Sequence, residues 1–174
     1  MIHHYPPGRT ATNLAPGDFF LIHHAKGPIR RLIQLVQRLH FPKQDARWNH
    51  CGVFIHPDGT IVEALTSNVT QGNISKYQGF NYVVVGVTAN TEDRDQMVAF
   101  CEWALGREYG FLTDLSLLGW CLFGGKFSFG LDGEMCCSGL VARALERAGY
   151  IFDRDSSHVM PADLARKFNV TTIQ

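Results

Sequence analysis

Hydrophobic and polar residues follow two different periods along this chain, and each period predicts one type of element. Short apolar runs bounded by turn residues predict four strands, at residues 18–23, 48–55, 60–65 and 82–87. Apolar residues at helical spacing predict three helices, which begin at Pro28, Thr91 and Cys137. These elements predict an α+β fold in which an antiparallel sheet packs against helices.

The last of these helices begins with a thiol. After Cys137 the small and apolar residues that recur at helical spacing are Leu140, Val141, Ala144, Leu145 and Ala148. A helix N-terminus offers unpaired N–H donors and a partial positive charge, which lower the pKa of a thiol and stabilise an oxyanion. The position of Cys137 therefore indicates a nucleophile, although unbonded cysteines also commonly pack in a core without any reaction.

A nucleophilic thiol needs a base, and the second and third predicted strands supply a candidate. The turn sequence P-D-G joins them and predicts a hairpin. Two closures fit this turn, and both place His50 and Glu63 on one face of the sheet. In the closure that pairs His56 with Gly59, Glu63 lies diagonally across from His50, about 7–8 Å away between backbones. A glutamate can span that distance and stabilise an imidazolium; the alternatives are a packed histidine and a solvated glutamate.

The order of these segments carries a family resemblance. The segment N-H-C-G at residues 49–52 precedes C-S-G-L-V at residues 137–141, whereas ordinary NlpC/P60 peptidases have the cysteine segment first. The chain in this respect resembles the permuted papain-like hydrolases, which include YiiX-like proteins and the lecithin:retinol acyltransferase group. Segments similar to the family's P-G-D strand, its G-x-x-Y-D/G-F segment and its P-x-D-L turn stand at residues 16–18, 106–111 and 161–164.

The resemblance implies a circularly permuted papain-like fold over a single domain, residues 1–174. It implies that Cys137 is the nucleophile and that His50 acts first as general base and then as general acid. Glu63 would be the polar third member of the triad. The expected activity is that of a cysteine hydrolase, an amidase, peptidase or acyl-ester hydrolase that works through an acyl-enzyme.

Residues around the nucleophile are assigned from the same resemblance. Tyr109 and Ser138 would lie near the oxyanion or the substrate. The family often has aspartate before its nucleophile, and this chain has Cys136 there, so the identity of the reactive thiol is open at this point. Small residues after position 137, which let a substrate approach the helix end, favour Cys137.

Two further functions remain compatible with the sequence. If an amine or alcohol replaces water in the second step, the protein is an acyltransferase. If the site has lost its activity, the fold is a noncatalytic peptide-binding or lipid-binding module. The expected partner is in each case a small peptide, amide or acyl compound.

Composition excludes several other classes. The chain has 174 residues, 45% of them hydrophobic, and its 16 basic residues balance 16 acidic ones. This balance, without phosphate-binding or nucleic-acid motifs, predicts no nucleic-acid partner. Adjacent Cys and His pairs lack the spacing of zinc ligands, so no metal or cofactor is expected. Without a recognisable signal peptide, and with five cysteines, an odd number, a cytoplasmic location is expected.

The segment at residues 111–131 is rich in Leu, Phe, Trp and Gly. Its uninterrupted apolar part, residues 115–123, is too short for a bilayer helix, which needs about 20 residues. A core helix followed by a glycine-rich loop is the preferred interpretation, and an apolar wall of the ligand site is the alternative.

Overall fold

The computed structural model describes residues 1–23, 28–65, 68–107 and 136–170. Its strands are β1 (Ile2–Tyr5), β2 (Phe19–His23), β3 (His50–Phe54), β4 (Thr60–Ala64), β5 (Val69–Asn73) and β6 (Asn81–Val85). Its α-helices are α1 (Pro28–His40), α2 (Thr91–Ala104), α3 (Cys137–Arg147) and α4 (Pro161–Lys167). Two short 3₁₀ helices are also present, Ile74–Tyr77 and Ser156–His158.

The six strands form one sheet in the order β1-β6-β2-β3-β4-β5, and every neighbouring pair is antiparallel. The predicted α+β class, with an antiparallel sheet and helices, is confirmed. Two strands, β1 and β5, were not predicted. β1 includes His3 and His4, which pair with Val84 and Val83 of β6.

Both faces of the sheet are covered, which explains why its four inner strands, β6, β2, β3 and β4, are buried along nearly their whole length. Helices α2 and α3 pack together, and α3 packs on β3. The face below them buries residues such as Leu21 and Val53. The opposite face buries Phe20, Ile22 and their neighbours in a second cluster. His50, which alternates with Cys51 along β3, lies on the side of this second cluster.

The three predicted helix starts are confirmed at Pro28, Thr91 and Cys137. Helix α2 is capped by Asn90, whose side chain accepts a hydrogen bond from the Asp93 N–H at 2.8 Å. Among the described residues, none of the helices combines the length and the apolarity that crossing a bilayer requires. The predicted helix and loop at residues 111–131, together with Tyr109, lie outside the described residues.

Candidate active site

The β3–β4 hairpin brings His50 and Glu63 together. Val53 pairs with Val62 in this hairpin, which is the register that results from closing the turn between His56 and Gly59. Glu63 therefore lies diagonally across from His50, as predicted for that closure. The His50 Nε2–H donates to Glu63 Oε2 at 2.6 Å.

A glycine between the two side chains makes this approach possible. Gly52 lies on the same face as His50, opposite Glu63. A Cβ at this position would be only 2.7 Å from the Val62 carbonyl oxygen and 3.0 Å from the Glu63 Cβ. A side chain at Gly52 would thus occupy the space through which Glu63 reaches the imidazole.

Glu63 has two further partners, which the sequence did not indicate. The hydroxyl of Tyr77 donates to Glu63 Oε2 at 2.5 Å, and the Lys76 ammonium donates to Oε1. Both residues belong to the Ile74–Tyr77 3₁₀ helix, where the Asn73 side chain accepts from the Ser75 N–H at 3.0 Å. The only sequence signal for this turn is the G-N pair at residues 72–73, which is typical of a strand end.

These contacts determine the charge of Glu63, whose side chain is 0% exposed. Burial alone would raise the pKa of this carboxyl. Hydrogen bonds from His50, Lys76 and Tyr77, together with the charge of His50, overcome the effect of burial and lower the pKa to about 2. Glu63 is therefore a carboxylate at neutral pH.

The imidazole of His50 is fixed in orientation by aromatic neighbours as well as by Glu63. Its ring packs edge-on against Phe20 and Tyr77, with centroid separations of 6.2 and 6.0 Å. The Cys137 sulfur also forms a hydrogen bond with this ring. Because Glu63 occupies Nε2, the ring nitrogen that remains available to the sulfur is Nδ1. Burial lowers the pKa of His50, but the hydrogen bonds to Cys137 and Glu63 outweigh it, so the net pKa is raised.

Cys137 is the first residue of α3 and is 5% exposed. A hydrogen bond from the Cys51 thiol lowers the pKa of Cys137, burial raises it, and the hydrogen bond and charge of His50 lower it further. The net pKa lies well below the usual value of 9.0. Since His50 and the helix N-terminus both favour a thiolate here, the arrangement supports a thiolate–imidazolium pair.

Cys51 is a contact of Cys137 that the sequence pattern does not indicate. Its thiol and its backbone N–H both hydrogen-bond the Cys137 sulfur. Burial and the neighbouring Cys137 raise the pKa of Cys51 well above its usual range, so Cys51 keeps its proton and acts as the donor. Period-2 alternation places Cys51 on the opposite face from His50, and only the docking of α3 against the start of β3 brings Cys137 close to both.

Cys136 and Ser138, which flank Cys137, have their own partners. Cys136 caps α3, because its sulfur accepts a hydrogen bond from the Gly139 N–H at 3.2 Å. The Ser138 hydroxyl donates to the Val159 carbonyl at 2.6 Å and is buried, so it anchors α3 to the segment before α4. The structure brings Cys137, His50 and Glu63 together, whereas Tyr109 lies outside the described residues.

The site contains a buried thiol, an imidazole and a carboxylate in series, with donors at a helix end. Within the described ranges, no three His, Cys, Asp or Glu residues are grouped in a way that could hold a metal ion. No family model matches this chain, and a comparison with curated proteins finds no match either.

Proposed function

We propose that this protein is a cysteine hydrolase that cleaves an amide, ester or thioester bond through an acyl-enzyme. The observation that carries the proposal is the series Cys137, His50 and Glu63, in which each side chain hydrogen-bonds the next. A histidine that only fills space in the core does not require a buried carboxylate at one ring nitrogen and a thiol of low pKa at the other.

In the first half-reaction the Cys137 thiolate attacks the substrate carbonyl and forms a carbon–sulfur bond. The developing oxyanion is stabilised by backbone N–H groups at the start of α3, a contribution of roughly 3 kcal/mol per donor in comparable sites. The C–N, C–O or C–S bond to the leaving group then breaks, and His50 Nδ1–H protonates the leaving amine, alcohol or thiol. The products of this step are an acyl-thioester on Cys137 and a neutral imidazole.

In the second half-reaction the neutral His50 accepts a proton from water, which attacks the thioester carbonyl. The carbon–sulfur bond breaks, the carboxylic acid leaves, and the thiolate–imidazolium pair is restored. Glu63 stabilises the imidazolium whenever the ring is charged and holds it in one orientation throughout.

We also propose that the fold is the circularly permuted papain-like one. The antiparallel sheet, the histidine on a strand that precedes the cysteine in the chain, and the cysteine at the start of a helix packed on that strand all support it. The order of these elements is the reverse of that in ordinary NlpC/P60 peptidases, and this reversal supports the permuted form.

Thiol reactivity tests the enzyme proposal without knowledge of the substrate. At neutral pH Cys137 should react with iodoacetamide faster than the other four cysteines, as measured by site-resolved mass spectrometry. His50→Ala should slow this reaction, because it removes the imidazolium that stabilises the thiolate. Cys136→Ser is the matched control, because it changes the neighbouring thiol and keeps an acceptor for the Gly139 N–H.

The second measurement is the acyl-enzyme itself. Incubation with a panel of activated acyl esters should add one acyl group to the wild-type protein, and this mass increase should disappear in Cys137→Ala. If Cys137 labels no faster than a free thiol and its rate is indifferent to His50, the noncatalytic binding module is the better interpretation.

A further inference from the structure

A cavity of about 260 Å³ lies at the end of the sheet at which β3 begins. Its walls come from the end of β1, the start of β6 and the segment just before β3. The lining residues include His4, Tyr5, Arg47, Trp48, Asn81 and Tyr82. None of these described residues is acidic.

Two residues that line this cavity, Arg47 and Trp48, carry strong hydrogen-bond donors. Arg47 is half-buried, and burial lowers the pKa of its guanidinium without any compensating carboxylate. The guanidinium carbon lies 5.0 Å from the centroid of the Trp48 ring. Trp48 is 1% exposed, and its indole Nε1 is buried without a hydrogen-bond partner. A buried donor such as this indole N–H is costly unless a ligand or water satisfies it.

The cavity lies next to the start of β3, the strand that carries His50. Trp48 precedes His50 by two residues, and Tyr82 pairs with Ile22, which in turn pairs with His50. The backbones of Tyr82 and His50 are thus two strand spacings apart, which is about 10 Å. The cavity and His50 therefore lie at the same end of the sheet, two strands apart.

We propose that this cavity binds an anionic group of the substrate, a carboxylate or a phosphate, through Arg47 and Trp48. This inference rests on the proposed function and narrows its substrate class to amides or esters that carry a carboxylate or phosphate at the end of a connecting chain. A guanidinium binds either anion with two parallel N–H donors, and the indole N–H adds a third. The apolar walls formed by Tyr5 and Tyr82, whose rings stack at 5.1 Å, would contact the connecting chain.

Affinity labelling tests the inference with the whole protein. The probes are N-bromoacetyl aminocaproic acid and its neutral primary amide, which differ only in the charge at the end of the linker. In each, the Cys137 thiolate displaces bromide and forms a thioether. The acid should label Cys137 about tenfold faster than the amide at low probe concentration, with saturation, because a charge-assisted hydrogen bond contributes about that factor in binding.

Substitutions assign the preference to the cavity. Arg47→Gln and Trp48→Phe should both reduce the preference for the acid, and the rate with the neutral amide should stay unchanged. Arg47→Lys keeps the charge and should retain part of the preference. Arg38→Gln, which removes an exposed charge from α1, is the matched control and should behave as wild type. A phosphonate probe of equal length distinguishes the two anions, since the preferred one labels faster.

The outcomes separate this inference from the proposed function. Fast labelling by the amide with no advantage for the acid overturns the anion site and leaves the hydrolase intact. A preference that persists in Arg47→Gln, or that Arg38→Gln abolishes equally, also overturns it. Slow, His50-independent labelling by both probes contradicts the proposed function itself.

Discussion

At the scale of single residues, four side chains alternate in charge from the helix start to the protein surface. The Cys137 thiolate contacts the His50 imidazolium, which contacts the Glu63 carboxylate, which contacts the Lys76 ammonium. Lys76 is the exposed end of the series, with 39% of its side chain accessible. A buried ion without a partner of opposite charge lowers the stability of the folded protein by several kcal/mol. Each buried group in the series therefore needs its neighbour in order to stay charged. Removing one member should therefore change the titration of the others.

Lys76→Met gives a prediction with a defined sign. The ammonium repels the nearby imidazolium, so its removal should raise the pKa of His50. In the proposed mechanism the imidazolium protonates the leaving group, and the alkaline limb of the activity profile reports its pKa. We expect Lys76→Met to move that limb to higher pH, by about half a unit to one unit, as measured by kcat against pH.

The opposite shift is expected when the negative charge is removed. Glu63→Gln takes away the carboxylate that stabilises the imidazolium, so the alkaline limb should move to lower pH. Lys43→Met is the control, because Lys43 is exposed and outside the site. If Lys76→Met and Glu63→Gln shifted the limb in the same direction, the alternating-charge account would be wrong.

At the scale of elements, the hairpin and the helix starts follow from local sequence, and other parts do not. The P-D-G turn limits β3 and β4 to two registers, and both place His50 and Glu63 on one face. Likewise the N-terminus of α3 follows from apolar spacing that begins at Cys137.

Local pattern could not predict β1, β5 or the contact between Cys51 and Cys137, because these depend on partners distant in the chain. Lys76 and Tyr77 were missed for the same reason: only the pairing of β5 with β4 brings them to Glu63.

The hairpin yields a prediction about backbone space. Gly52→Ala would place a Cβ 2.7 Å from the Val62 carbonyl and 3.0 Å from the Glu63 Cβ, so the strands or the glutamate must move. We expect the free energy of unfolding, measured by urea titration, to fall by about 1–3 kcal/mol. The reaction of Cys137 with iodoacetamide should slow as well, because displaced Glu63 no longer stabilises the imidazolium.

Gly79→Ala is the matched control, since a Cβ at that position has no atom within 4 Å apart from its own chain neighbours. It should change neither stability nor labelling by a comparable amount. Equal behaviour of the two variants would show that Gly52 does not determine the approach of Glu63 to His50.

At the scale of the whole molecule, the site links folding to pH. Between the ordinary pKa values of histidine and cysteine, 6.5 and 9.0, the unfolded pair of His50 and Cys137 carries one proton, on sulfur. In the folded protein the pKa of His50 is raised and that of Cys137 is lowered, so just above pH 6.5 the folded pair also carries one proton, on the imidazole. Equal proton numbers give no slope of stability with pH there, and this plateau ends where the pH reaches the raised pKa of His50. Below pH 6.5 the unfolded pair binds more protons, and stability falls as pH decreases.

Glu63 adds a separate loss of stability at lower pH. Folding lowers its pKa from 4.5 to about 2, so its contribution is fully present above pH 4.5 and disappears as pH falls toward 2. A shift of this size for a buried group corresponds to about 3 kcal/mol. We expect Glu63→Gln to be less stable than wild type above pH 4.5, and the difference in urea midpoints to shrink steadily below it. Glu102→Gln, an exposed change of the same charge on α2, should instead run parallel to wild type throughout. A constant difference between Glu63→Gln and wild type across this range would mean that Glu63 titrates normally in the folded protein, and the buried carboxylate assigned to the site would have to be abandoned.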